Sequence, residues 1–331
     1  MIKKFKKIII ATGGTGGHIF PAVSLANHFL EQKINVEIVS DRRGLRYLEN
    51  FRGLKITEIN SSTIFSKNFI NKLFSLFNIF FAFLRSLFFL IIKRPKLVFG
   101  MGGYASFPIC LASILLGVPF IIYENNLFIG KANRYLLPFA KKIFVSYGEL
   151  EGISEKYKNK MCVIGNIIRK EILNYEASKN IYKEEKKLKI LILGGSQAAK
   201  IFAEKLPDVF KRCKESNMSF EVFQQCLPEQ NDFLTSYYQK LKIKFEIFNF
   251  TTDILKYFAK SNLVITRSGS SMLAELVNVK IPFISVPLPT SAENHQLKNA
   301  IYYSEKEYSY LVEERDLNAN LFALIKKLSE N

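Results

Sequence analysis

The segment Lys7 to Gln32, KIIIATGGTGGHIFPAVSLANHFLEQ, runs from an aliphatic stretch through a glycine turn into an amphipathic stretch. Lys7 to Ala11 reads as a buried parallel strand, Pro21 to Gln32 as a helix and Val36 to Ser40 as the next strand, which is βαβ punctuation. Two further turns, Gly100 to Tyr104 (GMGGY) and Gly194 to Gln197 (GGSQ), stand in the same setting between an aliphatic run and a helix-like stretch. Glycine lets backbone N–H groups approach a ligand closely, and the helix that follows presents unpaired donors, so phosphates belong at such turns. The spacing predicts a phosphate- or sugar-nucleotide-handling α/β enzyme.

Outward from these turns the alternation continues. Leu97–Gly100, Phe120–Tyr123 and Lys142–Ser146 read as strands of a first half, and Leu188–Leu193, Phe220–Gln224, Leu263–Thr266 and Phe283–Val286 as strands of a second. A length of 331 residues suits two domains. The boundary is expected after Gly165, giving domains 1–165 and 166–331 and leaving open that the last helix packs back on the N-terminal half. The net charge of +18 favours an anionic partner, whether acidic lipid, polyphosphate or nucleic acid, unless it is compositional drift. Cys110, Cys162, Cys213 and Cys226 show no C-x-x-C pairing and read as reduced structural thiols. The apolar run at the start breaks at Thr12, too short for an export signal.

Phe69 to Ile92, FINKLFSLFNIFFAFLRSLFFLII, is long and apolar enough to suggest a membrane span. Arg85 near its middle would cost about 2.5–3.5 kcal/mol there, and a span would separate strands of one sheet. The expectation is a helix resting partly on the sheet. Its polar residues Asn71, Ser75, Asn78, Arg85 and Ser86 would share one stripe. Its surplus Phe77, Phe80, Phe81 and Leu84 would enter a membrane surface, with Lys67, Lys72, Lys93, Arg94 and Lys96 near lipid phosphates. A core helix is the alternative.

The Walker A ending is absent, which disfavours a P-loop NTPase. Gly100-x-Gly102-x-x-Ala105, with Glu124 about 20 residues on, fits a dinucleotide fingerprint loosely and sustains an NAD(P)-dependent oxidoreductase as an alternative. A basic nucleic-acid-binding module is the non-enzymatic one.

TGGTGGH, GMGGYAS, Tyr123-Glu124-Asn125-Asn126, Gly165-Asn166-Ile167-Ile168-Arg169, GGSQ, Val264 to Glu275 (VITRSGSSMLAE) and Glu293 to Ala300 (ENHQLKNA) stand in an order that resembles the MurG family. These are bacterial transferases that carry GlcNAc from UDP-GlcNAc to lipid I, undecaprenyl-pyrophosphoryl-MurNAc-pentapeptide, forming lipid II for peptidoglycan. The resemblance covers essentially the whole chain. It implies a GT-B fold, two Rossmann-like domains facing a cleft, and inversion at the anomeric carbon. It also implies peripheral attachment to the cytoplasmic face of the inner membrane, an anionic surface as partner, and no nucleic acid.

The resemblance places the donor mainly in the C-terminal half. Glu275 would take the ribose hydroxyls, Ser196 and Gln197 the pyrophosphate with help from Arg169, and Ser268, Gly269 and Ser270 would line the pocket. Thr251 would lie by the uracil, and His295 and Gln296 by the sugar; Thr15, Gly16, Gly17 and Asn126 would also touch the donor. Gly14 and Tyr104 would meet the acceptor. Ala198 stands where the family commonly has glycine, and Tyr123 and Asn125 also depart from it. An inverting displacement needs a base with a pKa near neutrality, and imidazole fits, so His18 is the first candidate and Glu124 its rival. With five aspartates and no Asp-x-Asp pair, no metal is expected and no cofactor beyond the substrate.

Overall fold

The computed structural model describes residues 7–49, 51–59, 69–176, 187–195 and 198–330, with backbone alone for 69–74. The chain divides into two compact units, Met1–Arg169 and Lys170–Asn331. The first contains β1 (Ile8–Ala11), α1 (Gly16–Glu31), β2 (Val36–Ser40), α2 (Arg42–Leu48), β3 (Ile56–Glu58) and α3 (Phe69–Lys93). It continues through β4 (Leu97–Gly100), α4 (Gly103–Leu115), β5 (Phe120–Glu124), α5 (Lys131–Leu136), β6 (Lys142–Val145) and β7 (Met161–Val163). The strands pair in parallel in the order β3-β2-β1-β4-β5-β6-β7. Helices cover both faces of such a sheet, which is why Ile8, Ile9 and Ile10 are all buried despite pointing alternately to opposite sides.

The second unit contains α6 (Lys170–Leu173), β8 (Leu188–Leu193), α7 (Lys200–Glu215), β9 (Phe220–Gln225), α8 (Asn231–Lys240), β10 (Lys244–Phe248) and α9 (Leu255–Phe258). Then follow β11 (Leu263–Thr266), α10 (Ser270–Val279), β12 (Phe283–Ser285), α11 (His295–Glu305), β13 (Ser309–Leu311) and α12 (Phe322–Glu330). Its parallel order is β10-β9-β8-β11-β12-β13. In each sheet the strand order reverses at the first strand of the unit, β1 or β8, and ligands of open α/β sheets bind outside the carboxyl ends at that point. The glycine turns after β1, β4 and β8 all lie at those ends.

The division falls after Arg169, four residues beyond the boundary expected from sequence. The intervening segment is tied to the first unit: Ile167 N–H donates to the buried Tyr123 hydroxyl at 3.0 Å, and Arg169 lies over the Phe20 ring at 5.1 Å. The last helix joins the core of the second unit. Ile325 of α12 is buried there with Leu317, Leu321 and Phe210, and Arg212 of α7 stacks on Phe322 at 4.2 Å.

Helix α3 lies half on the sheet. Ala82, Ser86, Phe89 and Leu90 are buried, whereas Leu76, Phe77, Phe80, Phe81, Leu84, Phe88, Ile91 and Ile92 are exposed. The expected polar stripe does not form. Ser86 faces the core and turns its hydroxyl back to Ala82 O at 2.7 Å, while Asn78 and Arg85 are exposed. Lys93 is likewise reassigned, because its Nζ binds the buried Glu37 carboxylate at 3.0 Å instead of standing ready for lipid. Lys7 binds the same carboxylate at 2.5 Å and Thr57 donates to it at 2.7 Å. Burial pushes the Glu37 carboxyl up, but hydrogen bonds from Lys7, Thr57 and Lys93 outweigh that and hold it at about 2. Its stabilisation is in place above the ordinary glutamate value and is lost as the pH falls toward 2. Arg94 and Lys96 are exposed, and Lys67 and the Lys72 side chain lie outside the described residues.

Candidate active site

In the first unit three loops meet. Gly13 has no room for a side chain, since a Cβ would lie 2.3 Å from Ala105 Cβ and 2.6 Å from Asp41 Oδ1. That same Asp41 oxygen accepts from Gly14 N at 2.9 Å and from Gly44 N at 2.9 Å, capping α2, while Arg43 grips the other oxygen. The anion at Gly14 is therefore supplied by the chain itself. Asp41 was not legible as a site residue from sequence, because nothing near it in the chain marks its contact with a turn 27 residues earlier.

Thr15 caps α1 from an exposed position, Gly16 is buried, and His18 closes the turn. The His18 ring sets Nδ1 2.9 Å from Met101 O, and its backbone carbonyl accepts from Thr12 Oγ1 at 2.9 Å. A Cβ on Gly102 would stand 3.0 Å from His18 Cε1, and one on Gly103 would stand 3.4 Å from Cδ2. The second glycine turn thus seats the imidazole, with Tyr104 half-buried in the first turn of α4.

Glu124, at the end of β5, is buried with four hydrogen bonds on its carboxylate. Asn126 N and Nδ2 donate to Oε1, both at 3.1 Å, and Gly130 N (2.8 Å) and Asn133 Nδ2 (2.9 Å) donate to Oε2. These four match the lone-pair capacity of a carboxylate. The side chain is thereby committed to shaping the loop from Asn125 to Gly130. Asn125 in turn reaches Gly17 O at 3.0 Å, joining that loop to the histidine turn. His28 is exposed on α1.

In the second unit, Gly269 caps α10 and Ser270 begins it; Ser268, Ser270 and Glu275 are all buried. Ser268 Oγ has no hydrogen-bond partner within the described structure, while Ser268 O accepts from Asn299 Nδ2 at 3.1 Å. Arg267 fastens this loop by donating to Val286 O and Pro287 O, pairing with Glu314 and lying over Phe202 at 5.1 Å. Gln296 Oε1 accepts from Leu288 N at 2.9 Å, and His295 Nδ1 lies 2.7 Å from Ala292 O. Thr251 Oγ1 accepts from Asp253 N at 3.1 Å in the loop after β10. After β8, Gly194 N donates to Gln225 Oε1 at 3.2 Å, and Ala198 holds a left-handed φ of 40°. Ser196 and Gln197 lie outside the described residues. Among the described residues no group of His, Cys, Asp and Glu could hold a metal.

Residues 8–145 match the glycosyltransferase family 28 N-terminal domain, and residues 189–331 match the family 28 C-terminal domain. The chain belongs to glycosyltransferase family 28. A Pelagibacter ubique relative is 34% identical, with 98% of this chain and 88% of the relative covered; a Rickettsia felis relative is 33% identical, with 96% and 89% covered. Both bear the name UDP-N-acetylglucosamine--N-acetylmuramyl-(pentapeptide) pyrophosphoryl-undecaprenol N-acetylglucosamine transferase. Among solved structures, Acinetobacter baumannii MurG superposes with a TM-score of 0.77 at 24% identity, covering 98% of this chain and 90% of that one. A Neisseria meningitidis UDP-GlcNAc 2-epimerase bound to UDP-GlcNAc reaches 0.59 at 15% identity, covering 98% and 93%. The fold is the GT-B fold, shared by family 28 enzymes and the epimerase, so the sequence relationship carries the activity.

Family membership removes both alternatives. The oxidoreductase reading needed a nucleotide at Gly100–Ala105 and a ribose at Glu124, but Gly102 and Gly103 face an imidazole and the Glu124 carboxylate is taken up by its own loop. The nucleic-acid-binding module has no support in a glycosyltransferase that matches through both halves.

Proposed function

We propose that this chain transfers GlcNAc from UDP-GlcNAc to the MurNAc 4-hydroxyl of lipid I, inverting the anomeric centre and forming lipid II. The observation that carries this is 33–34% identity, over nearly the whole chain, to transferases so named. His18 acts as the base. As the acceptor oxygen bonds to the anomeric carbon, its proton passes to the imidazole, and the bond to UDP breaks with its electron pair leaving on the diphosphate. Glu124 positions the Asn125–Gly130 loop, because its oxygens are already engaged.

The donor is held by the second unit. Glu275 takes the ribose hydroxyls, Ser196, Gln197 and the start of α7 take the diphosphate, Ser268 to Ser270 line the pocket, and His295 and Gln296 meet the sugar. Gln296 meets it through its NH₂ group, since its oxygen is held by Leu288 N. Thr251 lies at the uracil, Arg169 adds a positive charge, and Thr15 to Gly17 and Asn126 complete the donor contacts; Gly14 and Tyr104 face the acceptor. No metal is needed, as helix N-termini and arginine stabilise the leaving group. The exposed face of α3, with Phe77, Phe80, Phe81 and Leu84, rests in an anionic membrane surface on the cytoplasmic side, flanked by Arg94 and Lys96.

The test is a transfer assay with UDP-GlcNAc and a short-chain lipid I analogue, following UDP release and the β-linked disaccharide. UDP release that does not depend on the acceptor, or conversion of the donor to its 2-epimer, would sink this reading.

A further inference from the structure

We infer that the second glycine turn is a cradle that locks the His18 imidazole in its Nδ1–H tautomer, so that Nε2 is the atom presented for proton abstraction. The inference rests on His18 being the base, but its evidence is separate. Met101 O is a backbone carbonyl and can only accept, so a ring nitrogen 2.9 Å away must carry the hydrogen. In the neutral ring the lone pair then belongs to Nε2. Two consecutive left-handed residues, Gly102 (φ 87°) and Gly103 (φ 72°), bring the turn flat against the ring. Gly102 combines that φ with a ψ of 179°, a conformation essentially restricted to glycine. Its missing side chain is also the space the ring occupies, since a Cβ there would meet Cε1 at 3.0 Å and Nδ1 at 3.1 Å.

The arrangement suits a base. Taking up a proton at Nε2 leaves the Nδ1–H···O bond in place, so the ring has no need to turn between its neutral and cationic forms, and the carbonyl dipole favours the cation. The glycines, and the Met101 carbonyl they orient, are therefore positioning elements. The signature GMGGY serves a proton acceptor and not a phosphate.

The chain has three histidines, so the tautomers can be read directly. Full-length protein labelled with [¹⁵N]histidine would be examined by long-range ¹H–¹⁵N correlation at about pH 8, above the ordinary histidine pKa of about 6.5. His28→Gln and His295→Gln assign the signals by elimination, and exposed His28 serves as the solvent reference. The expected result is Nδ1–H for His18; an Nε2–H ring overturns the cradle. In folded Gly102→Ala the Nδ1–H signal should be lost, with kcat falling about 10- to 100-fold while UDP-GlcNAc affinity holds, within the range for misplacing a general base. Parental tautomer and kcat in that variant would also overturn the inference. Should Gly102→Ala fail to fold, the parent spectrum decides alone, with Gly103→Ala as the milder second variant. An Nδ1–H ring together with parental turnover in His18→Ala would leave the cradle standing and remove the base assignment.

Discussion

Asp41 and Gln225 occupy matching places in the two sheets. Each sits at the carboxyl end of the strand beside the switch-point strand, β2 beside β1 and β9 beside β8, and each side-chain oxygen accepts from a glycine of the neighbouring turn. The Asp41 oxygen is 2.9 Å from Gly14 N, and the Gln225 oxygen is 3.2 Å from Gly194 N. One clamp is a carboxylate and the other a neutral carboxamide. The Asp41 charge is itself paired with Arg43 at 2.9 Å, so a closed ion pair stands beside the first turn, whereas the clamp on the third turn is neutral. Glycine-rich turns that look alike in sequence are thus held by different chemistry from one strand away, and the proposed function gives them different tasks: acceptor and base in the first unit, donor in the second.

The sharpest test of that division is His18→Ala, expected to lower kcat by about 10² to 10⁴ with UDP-GlcNAc affinity nearly unchanged. Loss of donor binding instead would break the separation of roles. On the exposed apolar face of α3 in the same unit, Phe80→Ser with Phe88→Ser should weaken binding to anionic vesicles by about 2–4 kcal/mol, at part of the full burial value for each ring. Phe83 is left out because it packs against the core. Variants that melt normally yet still pellet with vesicles like the parent would refute the docking face.

Gln225→Glu carries the first unit's charge into the second. With charges about 6 Å apart and an effective dielectric near 20, it should cost about 3 kcal/mol of UDP affinity. Unchanged affinity in calorimetry would mean that clamp charge decides nothing. Glu275→Ala should cost about 1.5–3 kcal/mol of donor affinity, the range for hydrogen bonds to a charged group, and intact binding would remove it from the ribose site. The smallest effect is expected of Ala198→Gly. Relieving a left-handed alanine should stabilise the second unit by about 0.5–1 kcal/mol net of added chain entropy, raising its melting temperature by roughly 2 °C. A lower melting temperature would show that the alanine is unstrained.

The nine strands read from sequence are the interior ones. The four not foreseen, β3, β7, β10 and β13, are the four sheet edges. An interior parallel strand is covered on both faces and reads as an unbroken aliphatic run, such as Ile8–Ile10 or Leu191–Leu193; edge strands such as Ile56–Glu58 and Lys244–Phe248 carry polar residues and lose that signal. The site divides in the same way. His18 and the glycine turns are visible because their residue types are unusual in context. Asp41, Gln225, Asn133 and Arg267 act through contacts across strands, and no local spacing records them. The stripe expected along α3 failed because a serine can satisfy its hydroxyl on its own helix and so tolerate burial, as Ser86 does.

Helix α3 has 25 residues, about 37 Å at 1.5 Å each, whereas the four residues of β4 span only about 13 Å. Glu37 fastens its final turn beside the amino ends of the strands, so the surplus length must project past the opposite edge, where His18 stands. Burial along the helix marks the overhang: among the described side chains the buried ones begin at Ala82, and none from Ser75 to Phe81 is buried. The reach of the apolar face beyond the His18 edge is therefore a length counted in helical turns. Removing one turn ahead of Ala82 would shorten it by about 5.4 Å without touching the sheet.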